Sequence, residues 1–270
     1  MPKHEAAPHS SNGATASRPP DGAFRNFASP ARAAEVVSSN IVGYEKITVP
    51  ANKMDIVGIQ FQDVGVNGVI DIQQITAEGW DGEGADWIKI YDPDTSRYVT
   101  AYYMGEEAGG VYDEDGNALG PGWADDNQVA VDLTIAPGQA VWTQSEAGGK
   151  FVVSGEVTAN NEVEVPVNKM TLVANPLPMA VDIQQITTEG WDGEGADWIK
   201  IYNPDTSRYT TAYYMGEEAG GVYDEDGNAL GPGWADDNQV AVDIEIKVGQ
   251  GFWVQSEAGG KLVFPTIPAN

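Results

Sequence analysis

The side chains that could carry chemistry in this chain are mainly carboxylates, because the other common catalytic groups are missing or misplaced. Cysteine is absent, and both histidines, His4 and His9, lie within the first ten residues. The rest of the chain therefore cannot hold a thiolate zinc site, a cysteine nucleophile or a Ser-His-Asp triad. No glycine-rich phosphate loop ending in Lys and Ser or Thr occurs either. We predict that the protein is not an enzyme and has no catalytic residues.

A pair of carboxylates is the one catalytic device that this composition leaves open. A glycoside hydrolase needs only two, one protonated and one ionised, held at a set separation across a cleft. The chain has 41 acidic residues, so some pairs of carboxylates will lie close together by chance. Hydrolysis is therefore third among the predicted functions. The candidates in the first half of the chain are Asp81, Glu83, Asp86, Glu106, Glu107, Asp125 and Asp126.

Two acidic turns form the candidate metal site. The sequence Asp113-Glu-Asp-Gly-Asn117 recurs as Asp224-Glu-Asp-Gly-Asn228. Calcium takes about six to eight oxygen ligands, which acids in glycine-containing loops can supply. The spacing does not fit the helix-loop-helix calcium loop, and the same residues are ordinary turn formers, so a plain turn stays the alternative. No cofactor is required, and the predicted calcium ligands are Asp113, Asp115, Asn117, Asp224, Asp226 and Asn228.

Aromatic side chains are the candidate ligand-binding residues. The eight tryptophans form four matched pairs, 111 positions apart. Exposed rings can stack on sugar rings while nearby acids accept hydrogen bonds from hydroxyl groups. Trp87 and Trp142 lie in alternating, strand-like segments and are expected in the core. Four tryptophans in or near glycine-rich loops are predicted to bind a carbohydrate: Trp80, Trp123, Trp191 and Trp234.

The elements that must position these residues occur twice. Residues 71–132 match residues 182–243 at 62 aligned positions with three differences, and residues 47–54 match residues 163–170. Such internal repetition predicts tandem units. We divide the chain into a disordered leader at residues 1–38, a first copy at residues 39–157 and a second copy at residues 158–270.

Both copies have the pattern of short strands joined by tight turns. Trp87 to Tyr91 alternates in hydrophobicity, Asp92 to Ser96 is rich in turn formers, and Arg97 to Met104 alternates again, which predicts a hairpin. Further strands are predicted at residues 128–135, 139–144 and 150–153, and no segment has a convincing helical period. We predict an all-β protein with two tandem β-sandwich or barrel-like domains.

The net charge and the hydropathy of the chain limit the classes of partner that it can bind. The formal net charge is −27, and the leader is slightly basic, so the copies carry all of the negative excess. Such a surface repels nucleic acid, and no apolar run approaches the ~18 residues of a membrane-spanning helix. The leader also lacks the apolar core of a secretory signal, although Ala31-Arg-Ala33 resembles the end of a cleaved one. A plain disordered tail and a transit peptide are the alternatives for this segment.

The second copy contains Leu172-Val-Ala-Asn-Pro176 near its start and Gly249-Gln-Gly-Phe-Trp-Val254 near its end. It resembles β-domains that occur repeatedly in secreted and surface proteins of Gram-negative bacteria. The first copy departs from this pattern at Ile56-Val-Gly-Ile-Gln60 and at Ala140-Val141. The resemblance covers residues 38–270 and implies export and a non-catalytic role, without assigning functional residues.

We therefore expect a non-enzymatic structural or assembly protein, located outside the cell or on its surface. Its expected partners are further copies of itself or other surface proteins, through pairing of edge strands. The alternative is a carbohydrate-binding module with two equivalent sites that bind glycans, in which duplication would raise the avidity.

Overall fold

Twenty-five short strands and two single-turn 3₁₀ helices make up the described part of the chain. The structure is a computed structural model, and it describes residues 42–63, 68–82, 86–157, 160–193 and 197–266. The predicted leader lies outside these residues. All described residues belong to one compact unit that comprises Ser39–Asn270. The prediction of an all-β protein is confirmed.

The strands of the first copy are β1 (Val42–Val49), β2 (Lys53–Gly58), β3 (Phe61–Gln62), β4 (Ile70–Asp71), β5 (Thr76–Glu78), β6 (Trp87–Asp92), β7 (Arg97–Met104), β8 (Val111–Tyr112), β9 (Ala118–Gly120), β10 (Gly122–Ala124), β11 (Thr134–Ile135), β12 (Ala140–Ser145) and β13 (Gly149–Val157). The strands of the second copy are β14 (Glu162–Val165), β15 (Thr171–Ala174), β16 (Val181–Asp182), β17 (Thr187–Glu189), β18 (Trp198–Asn203), β19 (Arg208–Met215), β20 (Val222–Tyr223), β21 (Ala229–Gly231), β22 (Gly233–Ala235), β23 (Glu245–Ile246), β24 (Gly251–Gln255) and β25 (Gly260–Val263). The 3₁₀ helices are Ile72–Gln74 and Ile183–Gln185.

Each copy is built around a five-stranded antiparallel sheet. The strand order is β10-β7-β6-β12-β2 in the first copy and β22-β19-β18-β24-β15 in the second, so the two sheets have the same topology. The predicted hairpin is confirmed as β6 paired with β7, with Trp87 opposite Tyr102 and Asp92 opposite Arg97. The strand predicted at residues 128–135 is wrong for most of its length, because only Thr134–Ile135 is a strand.

One face of each five-stranded sheet packs against a smaller sheet of the same copy. In the first copy the smaller sheet contains β1, β13, β3 and β5. Ile88 of β6 and Val141 of β12 lie in one buried cluster with Val49 of β1 and Phe151 of β13. Burial of these side chains, at about 1.5–3 kcal/mol each, is the main stabilisation of the copy. The second copy has an equivalent cluster around Ile199.

The opposite face of each five-stranded sheet packs against the other copy, and we call this interface the seam. Side chains alternate along a strand, so Trp87 of β6 faces the seam while Ile88 faces the core of its own copy. The seam cluster contains Trp142 from the first copy and Trp198 and Trp253 from the second. Because both faces of the sheet are covered, apolar residues occur both at positions that face the seam and at positions that face the core of the copy.

Candidate functional site

Trp123 and Trp234 are core residues, which corrects the prediction that they bind a ligand. Both are fully buried, at 0% exposure. The indole N–H of Trp123 donates to the carbonyl oxygen of Ile75 at 3.1 Å, and the Gln73 side chain bonds both backbone groups of Trp123. Their position next to glycines suggested an exposed loop. In fact Gly122 lies in β10, where a Cβ would press on the Gln73 amide oxygen, so glycine here serves packing.

Trp80 and Trp191 differ from each other in exposure. Trp80 is 6% exposed and packs edge-on against Trp123, so the prediction of an open ring face is wrong for it as well. Trp191 is only partly buried and lines a cavity of about 400 Å³ together with Tyr214, Glu217 and Glu218. Of the four predicted ligand-binding tryptophans, Trp191 is the one that lines this cavity.

The predicted calcium residues lie in two tight turns. The Asp113 carboxylate accepts hydrogen bonds from the backbone N–H of Asn117 at 2.7 Å and from its side-chain amide at 2.8 Å. These bonds hold the pKa of Asp113 below its ordinary value, and Asn228 does the same for Asp224. Asp115 and Asp226 are exposed on the same turns. Within the described ranges, no group of three or more acidic or histidine side chains is placed to hold a metal ion, and calcium binding remains a prediction.

Two of the carboxylates considered for hydrolysis, Asp86 and Asp125, have structural partners, and Glu83 lies outside the described residues. Asp86 is 1% exposed and accepts from the backbone N–H groups of Gly82 at 3.0 Å and Glu146 at 2.9 Å. Asp125 accepts from the N–H groups of Asn127 and Val129 and closes a turn. These hydrogen bonds account for the two carboxylates without a catalytic role.

Several contacts across the seam occur twice. A residue of the first copy contacts a residue of the second, and the two equivalent residues make the same contact in the opposite direction. Such reciprocity is the pattern of a two-fold axis, as in a symmetric dimer. The reciprocal pairs are the ring contacts Tyr91–Trp253 at 4.8 Å and Trp142–Tyr202 at 4.9 Å, the ion pairs Lys53–Asp205 at 2.8 Å and Lys169–Asp94 at 2.6 Å, and the backbone bridges Val57–Gln250 and Gln139–Val173. The two copies are therefore joined like the subunits of a dimer within one chain.

A cleft of about 380 Å³ opens where the two sheets meet. Three equivalent pairs line it: Met54 and Met170, Tyr98 and Tyr209, and Trp142 and Trp253. Trp87 and Lys89 complete the lining, whereas their equivalents Trp198 and Lys200 do not line it. The Nζ atom of Lys89 lies 4.3 Å from the centroid of the Trp87 ring. This size and aromatic lining are typical of a site for a small ligand.

Two further cavities flank the seam, and charged side chains line both of them. Cavities of about 410 Å³ and 350 Å³ have equivalent linings along β1 and β14. In the larger one, burial raises the pKa of Glu45 to about 7 and that of Asp55 to about 6. One carboxylate oxygen of Glu45 is buried without a hydrogen-bond partner among the described residues. The positions equivalent to Glu45 and Asp55 are Asn161 and Thr171, so the copies have diverged here.

The sequence of strand β6 contains a signal for the seam. Trp87, Lys89 and Tyr91 alternate with Ile88 and Ile90, so both faces of β6 carry large side chains. A sheet with one face in water alternates apolar with polar residues, whereas a sheet covered on both faces does not. Two pairs of adjacent tyrosines fit the same explanation. Tyr102 and Tyr213 pack at the seam, whereas Tyr103 and Tyr214 pack against the core of their own copy.

No protein-family model, curated protein or solved structure matches this chain. Among the residues that the structure describes, no helix has the length and apolar character needed to cross a membrane.

Proposed function

We propose that this protein is a non-enzymatic structural protein, outside the cell or on its surface, that self-associates through the edge of strand β1. Each copy is proposed to be a two-sheet sandwich, the second derived by duplication of the first. The observation that carries the proposal of self-association is the edge of β1. The resemblance to exported β-domains supports the location.

Strand β1 lies at the end of its sheet. Its eight residues, Val42–Val49, pair with β13 and with no other described strand. The unpaired edge of a long strand offers a row of N–H and C=O groups to a strand of another chain. Tyr44 on this strand is 70% exposed, the highest value among the large hydrophobic residues that the structure describes. An exposed aromatic side chain beside an open edge is suited to a contact between chains.

The equivalent edge in the second copy is protected. Strand β14 has four residues, of which Glu162 and Glu164 are acidic. Both glutamates form ion pairs with Lys261, at 2.7 Å and 3.4 Å. Short, charged edges are a common protection against unwanted strand pairing. Strand β1 also carries charged side chains, Glu45 and Lys46, but it has eight residues against four in β14, and this longer edge supports β1 as the surface used for assembly.

Substitution at the open edge tests the proposal. We expect Tyr44→Lys to abolish self-association, because it adds a charge to the edge and removes the exposed ring. Leu119→Lys is the matched control, since Leu119 is also exposed but lies on β9. Analytical ultracentrifugation compares the three proteins, with melting temperatures checked for each. Equal association of wild type and Tyr44→Lys would contradict the proposal.

Carbohydrate binding is the second candidate, and the cavity at Trp191 favours it. This cavity combines two aromatic rings, Trp191 and Tyr214, with the exposed carboxylates Glu217 and Glu218. A ring face and nearby hydrogen-bond acceptors are the two features that sugar recognition needs. The proposal now concerns one site, because the ring equivalent to Trp191 is the buried Trp80.

Glycan retention measures this second candidate directly. We expect Glu217→Gln together with Glu218→Gln to weaken retention on a polysaccharide gel without lowering the melting temperature, because both side chains are exposed. The control is Glu106→Gln with Glu107→Gln, the same substitutions at the equivalent positions of the first copy. Absence of retention for the wild type across neutral and acidic polysaccharides would remove carbohydrate binding from consideration.

A further inference from the structure

The lining of the cleft at the seam contains no residue of β1, the strand proposed for self-association. Its floor is formed by Trp142 and Trp253, which also belong to the buried cluster that joins the copies. Its rim is formed by side chains that stay open to solvent, with Met54 42% exposed and Tyr209 46% exposed. The cleft is therefore an accessible aromatic pocket on a preformed, well-packed base.

The polar groups that line this cleft are few: the hydroxyls of Tyr98 and Tyr209, the indole N–H groups and the ammonium of Lys89. Burial raises the pKa of both tyrosine hydroxyls, so they stay neutral at physiological pH. A neutral sugar needs many free donors and acceptors, and the lining offers few of them. An apolar ring, in contrast, gains from contact with tryptophan, tyrosine and methionine side chains.

Lys89 is the one charged residue among the described residues that line the cleft. Its ammonium lies over the Trp87 ring, so the positive charge is held at the wall of the pocket. The whole chain carries a net charge of −27, which makes a pocket whose lining charge is positive a local exception. A cation in a pocket that is otherwise apolar attracts an anion more strongly than the same cation in water.

We propose that the seam cleft binds a small organic anion made of an apolar ring and a carboxylate. The ring packs between Trp142 and Trp253, and the carboxylate pairs with Lys89. This proposal goes beyond the structural role of the protein and does not depend on self-association.

The asymmetry of the cleft sets its stoichiometry and supplies a control. Most of the lining comes in equivalent pairs, but Trp87 and Lys89 have no counterpart in it. One ligand therefore binds per chain, in one orientation. Lys200 holds the same position over Trp198, at 4.2 Å from the ring centroid, yet does not line the cleft. Replacement of Lys200 changes the charge of the protein as replacement of Lys89 does, without changing the cleft.

Calorimetric titration of the full-length protein tests the proposal, with 1-naphthaleneacetate as the probe and its neutral amide as the comparison. We expect saturable binding of the acid at one site per chain, and at least roughly tenfold weaker binding of the amide, since the amide lacks the negative charge that pairs with Lys89. Lys89→Gln should weaken binding of the acid by a similar factor, whereas Lys200→Gln should leave it unchanged.

A second variant separates loss of the site from loss of the fold. Met54→Glu places a negative charge at the exposed rim and should abolish binding of the acid at an unchanged melting temperature. Three results would overturn the proposal: no saturable binding by the wild type at millimolar probe, equal weakening by the two lysine variants, or equal affinity for the acid and the amide.

Discussion

Glu45 shows how one residue can make the stability of this protein depend on pH. Burial raises the pKa of its carboxyl group from 4.5 to about 7. One of its two oxygens has no hydrogen-bond partner among the described residues. The folded protein therefore holds the proton more tightly than the unfolded chain. This stabilisation is fully present below pH 4.5 and is lost as the pH rises through about 7. Asp55 acts in the same direction, up to a pH of about 6.

We expect the melting temperature of the wild type to fall between about pH 5 and about pH 8, and Glu45→Asn to remove a large part of this fall. Asparagine is the residue at the equivalent position, Asn161, so the substitution is compatible with the fold. Asn161→Ala is the control and should lower the melting temperature equally at both pH values, because it breaks a bond to the Phe264 carbonyl. Differential scanning calorimetry distinguishes these outcomes. An unchanged pH profile in Glu45→Asn would contradict the assignment.

Asp113 tests whether the acidic turns are structural. Its carboxylate accepts two hydrogen bonds from Asn117, so Asp113→Ala should destabilise the protein. If the turn alone is responsible, the loss measured by urea denaturation is the same with and without calcium. A loss that appears only in the presence of calcium would instead support the metal site predicted from the sequence.

At the scale of elements, the close approach of the two copies depends on small residues at equivalent positions. A Cβ on Gly58 of β2 would overlap the Cβ of Ala174, which is its own counterpart in β15. On β24, a Cβ on Gly251 would likewise overlap Ile56. Glycine is thus required here by backbone proximity across the seam.

An exchange of residues across the seam tests this packing. We expect Gly58→Ala to cost about 1–3 kcal/mol through overpacking. The double variant Gly58→Ala with Ala174→Gly should recover most of the loss, because it moves the methyl group to the other side of the same contact. Guanidinium denaturation measures both. If the double variant is no more stable than Gly58→Ala, the seam does not have the reciprocal packing described.

Part of this structure could be predicted from the sequence, and particular residues show where prediction stopped. The alternation from Trp87 to Met104 predicts the hairpin correctly, because local pattern determines the pairing of neighbouring strands. The burial of Trp123 was not predictable from its glycine-rich surroundings, since it depends on Gln73 and Ile75, about fifty residues away along the chain. The seam cleft requires both copies at once, so the pattern of either copy does not reveal it.

At the scale of the whole molecule, the reciprocal seam makes the chain resemble a dimer whose subunits are covalently joined. Its symmetric contacts are satisfied within one chain and are closed to further copies. Growth of an assembly must therefore use other surfaces, and the unpaired edge of β1 is the one we propose. The long acidic chain repels itself at low ionic strength, so salt should favour association.

The most direct test of self-association is static light scattering on the full chain over a concentration series at physiological salt, with and without millimolar calcium and with negative-stain imaging. We predict that the average mass rises with concentration above that of a single chain and that ordered assemblies appear in the images. A mass that stays at one chain throughout the series, in both conditions, would contradict the proposed structural function and leave ligand binding as the function to pursue.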